Sequence, residues 1–172
     1  MKKKIAGLAI LVLAGAFLVS TIKAQVISGT YAIKNVQTGM LLRIKDANGS
    51  NGTPLVSYTP TNWKCMTWDF KHIDGTTYQL QNLFTHKTFQ PKQGTAAESA
   101  VLEQQPLTVP QANQQYDFIP VEKNVYLIRA TGTELYVTPA DEKGTQDTGI
   151  RLSKKAGGKL QYWTIYEQHP TM

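Results

Sequence analysis

The chain has 172 residues and a single cysteine, Cys65. No intrachain disulfide can form, so the fold must rest on a hydrophobic core and not on covalent staples. A catalytic thiol needs a neighbouring base and a lowered pKa. Cys65 has neither nearby in sequence; it stands between Trp63 and Trp68 in a strand-like run and reads as a small buried hydrophobe. Helical patterning is equally scarce. Beyond residue 24, no window keeps apolar residues at i, i+3, i+4 and i+7. The three histidines, His72, His86 and His169, lie far apart and show no metal-ligand spacing. No Ser-His-Asp order stands out. Asp141 and Glu142 are adjacent, so their side chains point apart in a strand or turn. A helical bundle and a disulfide scaffold are excluded, and the pattern argues against an enzyme, a metal and a cofactor. The stretch Asp46 to Gly52 has some alternating oxygen ligands of a calcium loop. Its glycines stand at the fourth and seventh places, however, and Ser57 occupies the place of the final Glu.

Charge of one sign is also less abundant than it first looks. The formal net charge is +6. Residues 1–24 carry four of the 18 basic residues, Lys2, Lys3, Lys4 and Lys23, and no acid. They read as a secretory signal peptide: a basic start, an apolar run from Ile5 to Val19, and Ile22-Lys23-Ala24 before Gln25. The run is short for a membrane span, and stable membrane insertion after cleavage is not expected. The remaining chain has 18 − 4 = 14 basic against 12 acidic residues, a net of +2. A nucleic-acid partner therefore has no support from global charge. The lysines Lys154, Lys155 and Lys159 read as a solvated hairpin end. The expected location is secreted or periplasmic. Asn48-Gly-Ser50 and Asn51-Gly-Thr53 are glycosylation sequons.

What the chain does have is a repeat. Trp68, Tyr116 and Trp163 are spaced by 48 and 47 residues (116 − 68 and 163 − 116). Each is followed two places on by a second bulky apolar residue, Phe70, Phe118 or Ile165, on the same face of a strand. Tyr31, Tyr78 and Tyr126 form an independent column with steps of 47 and 48 (78 − 31 and 126 − 78). Leu55, Leu102 and Ile150 each stand 24 residues after their tyrosine. Between these columns a second strand opens with Leu42, Phe89 and Leu135, and small-residue loops follow. Four strands three times over make twelve. No single unit can bury its own apolar face, so the units share one core. Without crossover helices the solution is a closed barrel or a propeller, and a three-bladed propeller is too tight to fill. One β domain over residues 25–172 is expected, with lobes of about 26–70, 71–119 and 120–168.

These residues also carry a family pattern. The G-x-Y-x-I/L-x-N opening, the N-G-x-P-L-V run at Asn51 to Val56 and the Q-x-W ending at Gln161 to Trp163 resemble the ricin B-type β-trefoil. The resemblance covers the whole chain after the leader. It implies an all-β trefoil of twelve strands in three four-stranded lobes with pseudo-threefold symmetry. It also implies sugar binding without catalysis. In that family a sugar site takes an Asp after the large apolar residue of the second strand, an aromatic platform near the third strand, and an Asn before the Gln of Q-x-W. A carboxylate and an amide hold hydroxyls while an aromatic face stacks on the ring.

Carried onto this chain, the Asp positions become Arg43, Gln90 and Tyr136, and the Asn positions become Cys65, Asn113 and Leu160. No lobe holds the complete set. The candidate ligand-binding residues are Tyr58, Trp63 and Asp46 in the first lobe and Gln90 and Asn113 in the second. Trp63 lies in a loop, outside the repeated column, and reads either as a stacking platform or as part of a small core under the loop. The expected function is a secreted, non-catalytic module that binds a carbohydrate or glycoconjugate. The alternative is a protein-interaction or protease-inhibitor trefoil whose sugar sites have degenerated.

Overall fold

The computed structural model describes residues 26–109 and 111–172. The expected signal peptide, residues 1–24, lies outside the described residues. Twelve strands follow in three sets of four. The first set is β1 (Gly29–Asn35), β2 (Leu41–Ile44), β3 (Leu55–Tyr58) and β4 (Thr67–Asp74). The second is β5 (Thr77–Asn82), β6 (Thr88–Pro91), β7 (Leu102–Gln105) and β8 (Tyr116–Glu122). The third is β9 (Val125–Ala130), β10 (Leu135–Pro139), β11 (Ile150–Lys154) and β12 (Tyr162–Glu167).

The first and last strand of each set build a barrel. β1 pairs with β4, β4 with β5, β5 with β8, β8 with β9, β9 with β12, and β12 returns to β1. All pairs are antiparallel and the ring is closed, which leaves no open sheet edge in the barrel. The middle strands form three hairpins, β2–β3, β6–β7 and β10–β11, that cap one end. Isolated bridges at Pro54–Glu103, Val56–Gly149 and Val101–Arg151 tie the hairpins to one another. The chain is thus a β-trefoil.

The repeated columns are the core. Trp68, Tyr116 and Trp163 are almost wholly buried, together with Leu42, Phe89, Val137, Leu55, Leu102 and Ile150. Each large apolar chain contributes about 1.5–3 kcal/mol by leaving water. The aromatic heads also carry polar atoms that need partners when buried. Trp68 donates its indole N–H to the Leu42 carbonyl at 3.2 Å, and Trp163 donates to the Val137 carbonyl at 2.9 Å. Tyr116 O–H donates to the Phe89 carbonyl at 3.4 Å. Burial pushes the Tyr116 phenol well above its ordinary range, so it stays a neutral donor.

These three bonds correct one column. The structural counterpart of Leu42 and Phe89 is Val137, not Leu135, with steps of 47 and 48 residues (89 − 42 and 137 − 89). Aligning on the start of the strand misplaced the third lobe by two residues. The strand period of two then hides the slip, because Leu135 and Val137 share a face. The segment before each last strand is a turn. Lys64–Met66 and Ala112–Gln114 are single 3₁₀ turns, and Leu160 lies in a turn before β12.

Two asparagines close the turns after β1 and β5. Asn35 Nδ2 donates to the carbonyls of Leu160 and Tyr162, while its Oδ1 accepts the N–H groups of Gln37 and Thr38. Asn82 repeats this with Cys65, Thr67, Phe84 and Thr85. The third lobe has Ala130 at this place. There a buried Asp117 carboxylate takes over, accepting from Thr77 Oγ1, Thr131 Oγ1 and both Nε and an Nη of Arg129.

Candidate functional site

Val137 as the reference residue makes the three lobes comparable. The residue after it, at the place of the family's carboxylate, is Arg43 in lobe one, Gln90 in lobe two and Thr138 in lobe three. Tyr136, expected at this place, is a buried residue two positions before Thr138 and is not equivalent.

In lobe three the polar groups close on themselves. Gln161 Nε2 donates to Thr138 Oγ1 at 3.2 Å, Ser153 Oγ at 3.0 Å and the Lys154 carbonyl at 2.8 Å. Its Oε1 accepts the Ala156 N–H. Leu160 stands where an amide is required. Both ends of the Gln161 amide thus have protein partners.

In lobe one the Q-x-W glutamine is replaced by Met66, and Cys65 stands before it. Both are buried in a small second core with Ala32 and Leu41, against which Tyr58 and Trp63 pack. The two rings lie together, with centroids 6.1 Å apart and planes tilted by 37°. One face of the Tyr58 ring is already occupied. The Arg43 guanidinium sits 3.9 Å from the Tyr58 ring centre and 6.0 Å from that of Trp63. Asp147 lies 3.6 Å from Arg43 Nη1, and Arg43 Nε is buried without a partner among the described residues. A cation over a phenol ring is favourable, so the guanidinium covers one face of Tyr58. Asp46 is exposed, in a turn with φ of 53°, and makes no hydrogen bond to this group among the described residues. The structure thus brings Tyr58 and Trp63 together and leaves Asp46 apart.

Lobe two differs from both. Gln114, the Q-x-W glutamine, is buried and fully engaged. Its Nε2 donates to Gln90 Oε1 and the Pro106 carbonyl, each at 3.0 Å. Its Oε1 accepts from Gln79 Nε2 at 2.9 Å and the Thr108 N–H at 3.0 Å. This fixes Gln90 through its oxygen. The Gln90 Nε2 donors have no protein acceptor among the described residues. Asn113 Nδ2 donates to the Gly94 carbonyl at 3.0 Å, while Asn113 Oδ1 is buried without a partner. Both amides approach Gly94, whose φ is +74°. A Cβ there would come within 3.2 Å of Asn113 Nδ2 and 3.8 Å of Gln90 Nε2. The positive φ favours glycine, and a Cβ would crowd the Asn113 amide.

Glu103 completes this set, and the sequence pattern missed it. It faces Gln90 directly across the β6–β7 hairpin, and directly opposed residues share a face. Gln105, two places on, donates Nε2 to Glu103 Oε1 at 2.9 Å and occupies the place of Tyr58. The signal that could have found Glu103 is hairpin register, which needs both strand ends. Lobe two therefore gathers two amides and a carboxylate with unspent donor and acceptor capacity. It offers no ring, since residues 102–115 contain no aromatic. Among the described residues no cluster of three His, Cys, Asp or Glu could hold a metal ion.

The comparisons with known proteins agree with this architecture. A family model described as ricin-type beta-trefoil lectin domain-like matches residues 18–105, just over half of the chain. No curated protein sequence matches. Among solved structures, the designed threefold-symmetric protein ThreeFoil is similar at 16% identity with a TM-score of 0.76, covering 81% of this chain and 99% of that one. An exo-beta-1,3-galactanase from Clostridium thermocellum is similar at 19% identity and a TM-score of 0.75. It covers 81% of this chain, which spans 30% of the galactanase. The ricin B-like lectin of Macrolepiota procera, solved with lactose, is similar at 20% identity with a TM-score of 0.66, covering 83% of this chain and 99% of that one. The family match and the three-lobed fold together place this chain in the ricin-type β-trefoil lectin domain-like family.

Proposed function

We propose that the chain is a secreted, non-catalytic carbohydrate-binding module and that lobe two holds its sugar site. The leader pattern of residues 1–24 supports secretion. The observation that carries the site is the pair of half-used amides at Gly94. Gln90 is oriented by Gln114 with its N–H groups free, and Asn113 Oδ1 is buried without a partner. Glu103 across the hairpin adds a carboxylate acceptor. Donor, acceptor and carboxylate on one surface suit a pair of adjacent sugar hydroxyls, each of which both donates and accepts. A site built to hydrogen-bond also discriminates against ligands that leave its groups unpaired. Lobe one serves less well, because Arg43 covers a face of Tyr58.

The relative solved with lactose supplies the first probe. Lactose and galactose titrated into 15N-labelled residues 25–172 should shift the amide resonances of Gln90, Gly94, Glu103 and Asn113. Shifts confined to Tyr58 and Trp63 would move the site to lobe one. No shift with these sugars or with a panel of monosaccharides would favour the protein-binding alternative. That reading has one observation of its own. Ile73 and Val121 sit at equivalent irregularities of β4 and β8, and both are exposed.

A further inference from the structure

At the end of the barrel away from the hairpin cap, two residues per lobe form a belt. In order around the barrel they are Tyr31, Phe70, Tyr78, Phe118, Tyr126 and Ile165. Phe70 fills the corner between Tyr31 and Tyr78, with centroids 5.4 and 5.7 Å away. Phe118 fills the corner between Tyr78 and Tyr126 at 5.5 and 5.8 Å. The third corner, between Tyr126 and Tyr31, receives Ile165, which has no ring. A cavity of about 390 Å³ lies there, against Tyr31, Tyr126, Tyr166, Ile27, Ile165 and Glu167. That volume lies within the range of small-ligand sites.

The chemistry of the wall is selective. Glu167 stands opposite Tyr31 on the paired strand, and its nearest basic group among the described residues is the His169 imidazole at 3.7 Å. Among the described residues no lysine or arginine lines the cavity, so an anion would meet an uncompensated carboxylate. The Asn124 amide, also at the wall, already donates to Thr164 Oγ1 at 3.2 Å and the Ile165 carbonyl at 2.8 Å. A sugar would therefore find few free polar partners. Calcium or magnesium needs six or more oxygens and would find one carboxylate. Burial, with the nearby Tyr78 and Tyr31 hydroxyls, raises the Tyr126 phenol, so its ring stays neutral.

We propose that this corner of the barrel binds a methylated ammonium group, with tyrosine rings around its apolar, positively charged surface and Glu167 as counter-charge. Electron-rich rings attract such cations most when water is excluded. The group is shared by free quaternary amines and by phosphocholine-bearing molecules. This site is remote from the lobe-two amides and does not depend on sugar binding.

The test uses residues 25–172, which contain every strand of the trefoil, at pH 8. Choline should shift the amide resonances of Tyr126, Ile165 and Glu167. Its neutral carbon analogue, 3,3-dimethylbutan-1-ol, should bind at least about tenfold more weakly. Ile165→Phe should fill the corner and abolish binding without lowering the thermal midpoint. Glu167→Gln, at an exposed position, should keep the fold and weaken choline several-fold, which preserves the test should Ile165→Phe misfold. Phosphocholine binding more tightly than choline would point to a headgroup, and the reverse to a free amine. No response to choline, equal binding of the neutral analogue, or undiminished binding by a folded Ile165→Phe variant would each overturn the proposal.

Discussion

Trp163 donates its indole N–H to the carbonyl of Val137, 26 residues earlier, at 2.9 Å, as Trp68 does to Leu42 over the same interval. This bond ties the last strand of a lobe to its second strand and so holds the cap hairpin on the barrel. Trp163→Ala removes the bond and leaves a cavity in a core with almost no exposure. It should cost about 3–5 kcal/mol, read as a lower midpoint in chemical denaturation at an unchanged slope.

Asn82 satisfies two buried carbonyls with its amide N–H groups and two turn N–H groups with its oxygen. Alanine leaves several of these groups without partners inside the fold. Asn82→Ala should therefore destabilise by about 2–4 kcal/mol. Asn35→Ala should do the same, whereas Ala130, the equivalent residue of lobe three, should tolerate Ser. Thermal unfolding of the three variants checks the pattern.

Asp117 and Arg129 form a partly buried ion pair at 3.0 Å, with the Asp117 side chain 8% exposed. Removing the carboxylate leaves Arg129 with Glu134 alone and takes the acceptor from the Thr77 and Thr131 hydroxyls. Asp117→Ala should cost about 1–3 kcal/mol. Arg129→Met combined with Asp117→Leu should recover only part of that loss, because the Thr77 and Thr131 hydroxyls still lack their acceptor. A double-mutant cycle by urea denaturation measures both.

Asp141 has a carboxyl held below its ordinary value, first by the Thr148 hydroxyl and also by the N–H groups of Lys143 and Thr145, against a counteracting desolvation. A folded pKa below the unfolded one gives stability that is present above about pH 4 and is lost as pH falls through the folded value. Asp141→Asn should therefore lower stability at neutral pH and reduce the fall in melting temperature on acidification below about pH 4. Melting temperatures from pH 2 to pH 7 for both proteins check the sign.

The repeat made the fold legible. Trp68, Tyr116 and Trp163 with Tyr31, Tyr78 and Tyr126 gave two columns of one period, and a period fixes architecture better than any local propensity. Position within a strand was harder to read. Leu135 and Val137 are both apolar and face the same way, so only the hydrogen bond from Trp163 shows which one matches Leu42. The pairing of Tyr58 with Trp63 was visible as a possibility. The guanidinium against one face of Tyr58 was not, because Arg43 reaches the ring from a different strand. Gln90 and Asn113 were found from the family pattern. Glu103 was not, since its relation to Gln90 exists only once β6 and β7 pair.

The central claim, sugar recognition by lobe two, is tested most directly by a glycan array probed with residues 25–172 and with the same chain carrying Asn113→Ala. The account predicts that the wild-type chain marks a defined set of glycans and that Asn113→Ala loses that set while its melting temperature holds. Silence of the wild-type chain across the array, or an unchanged set with Asn113→Ala, would contradict it.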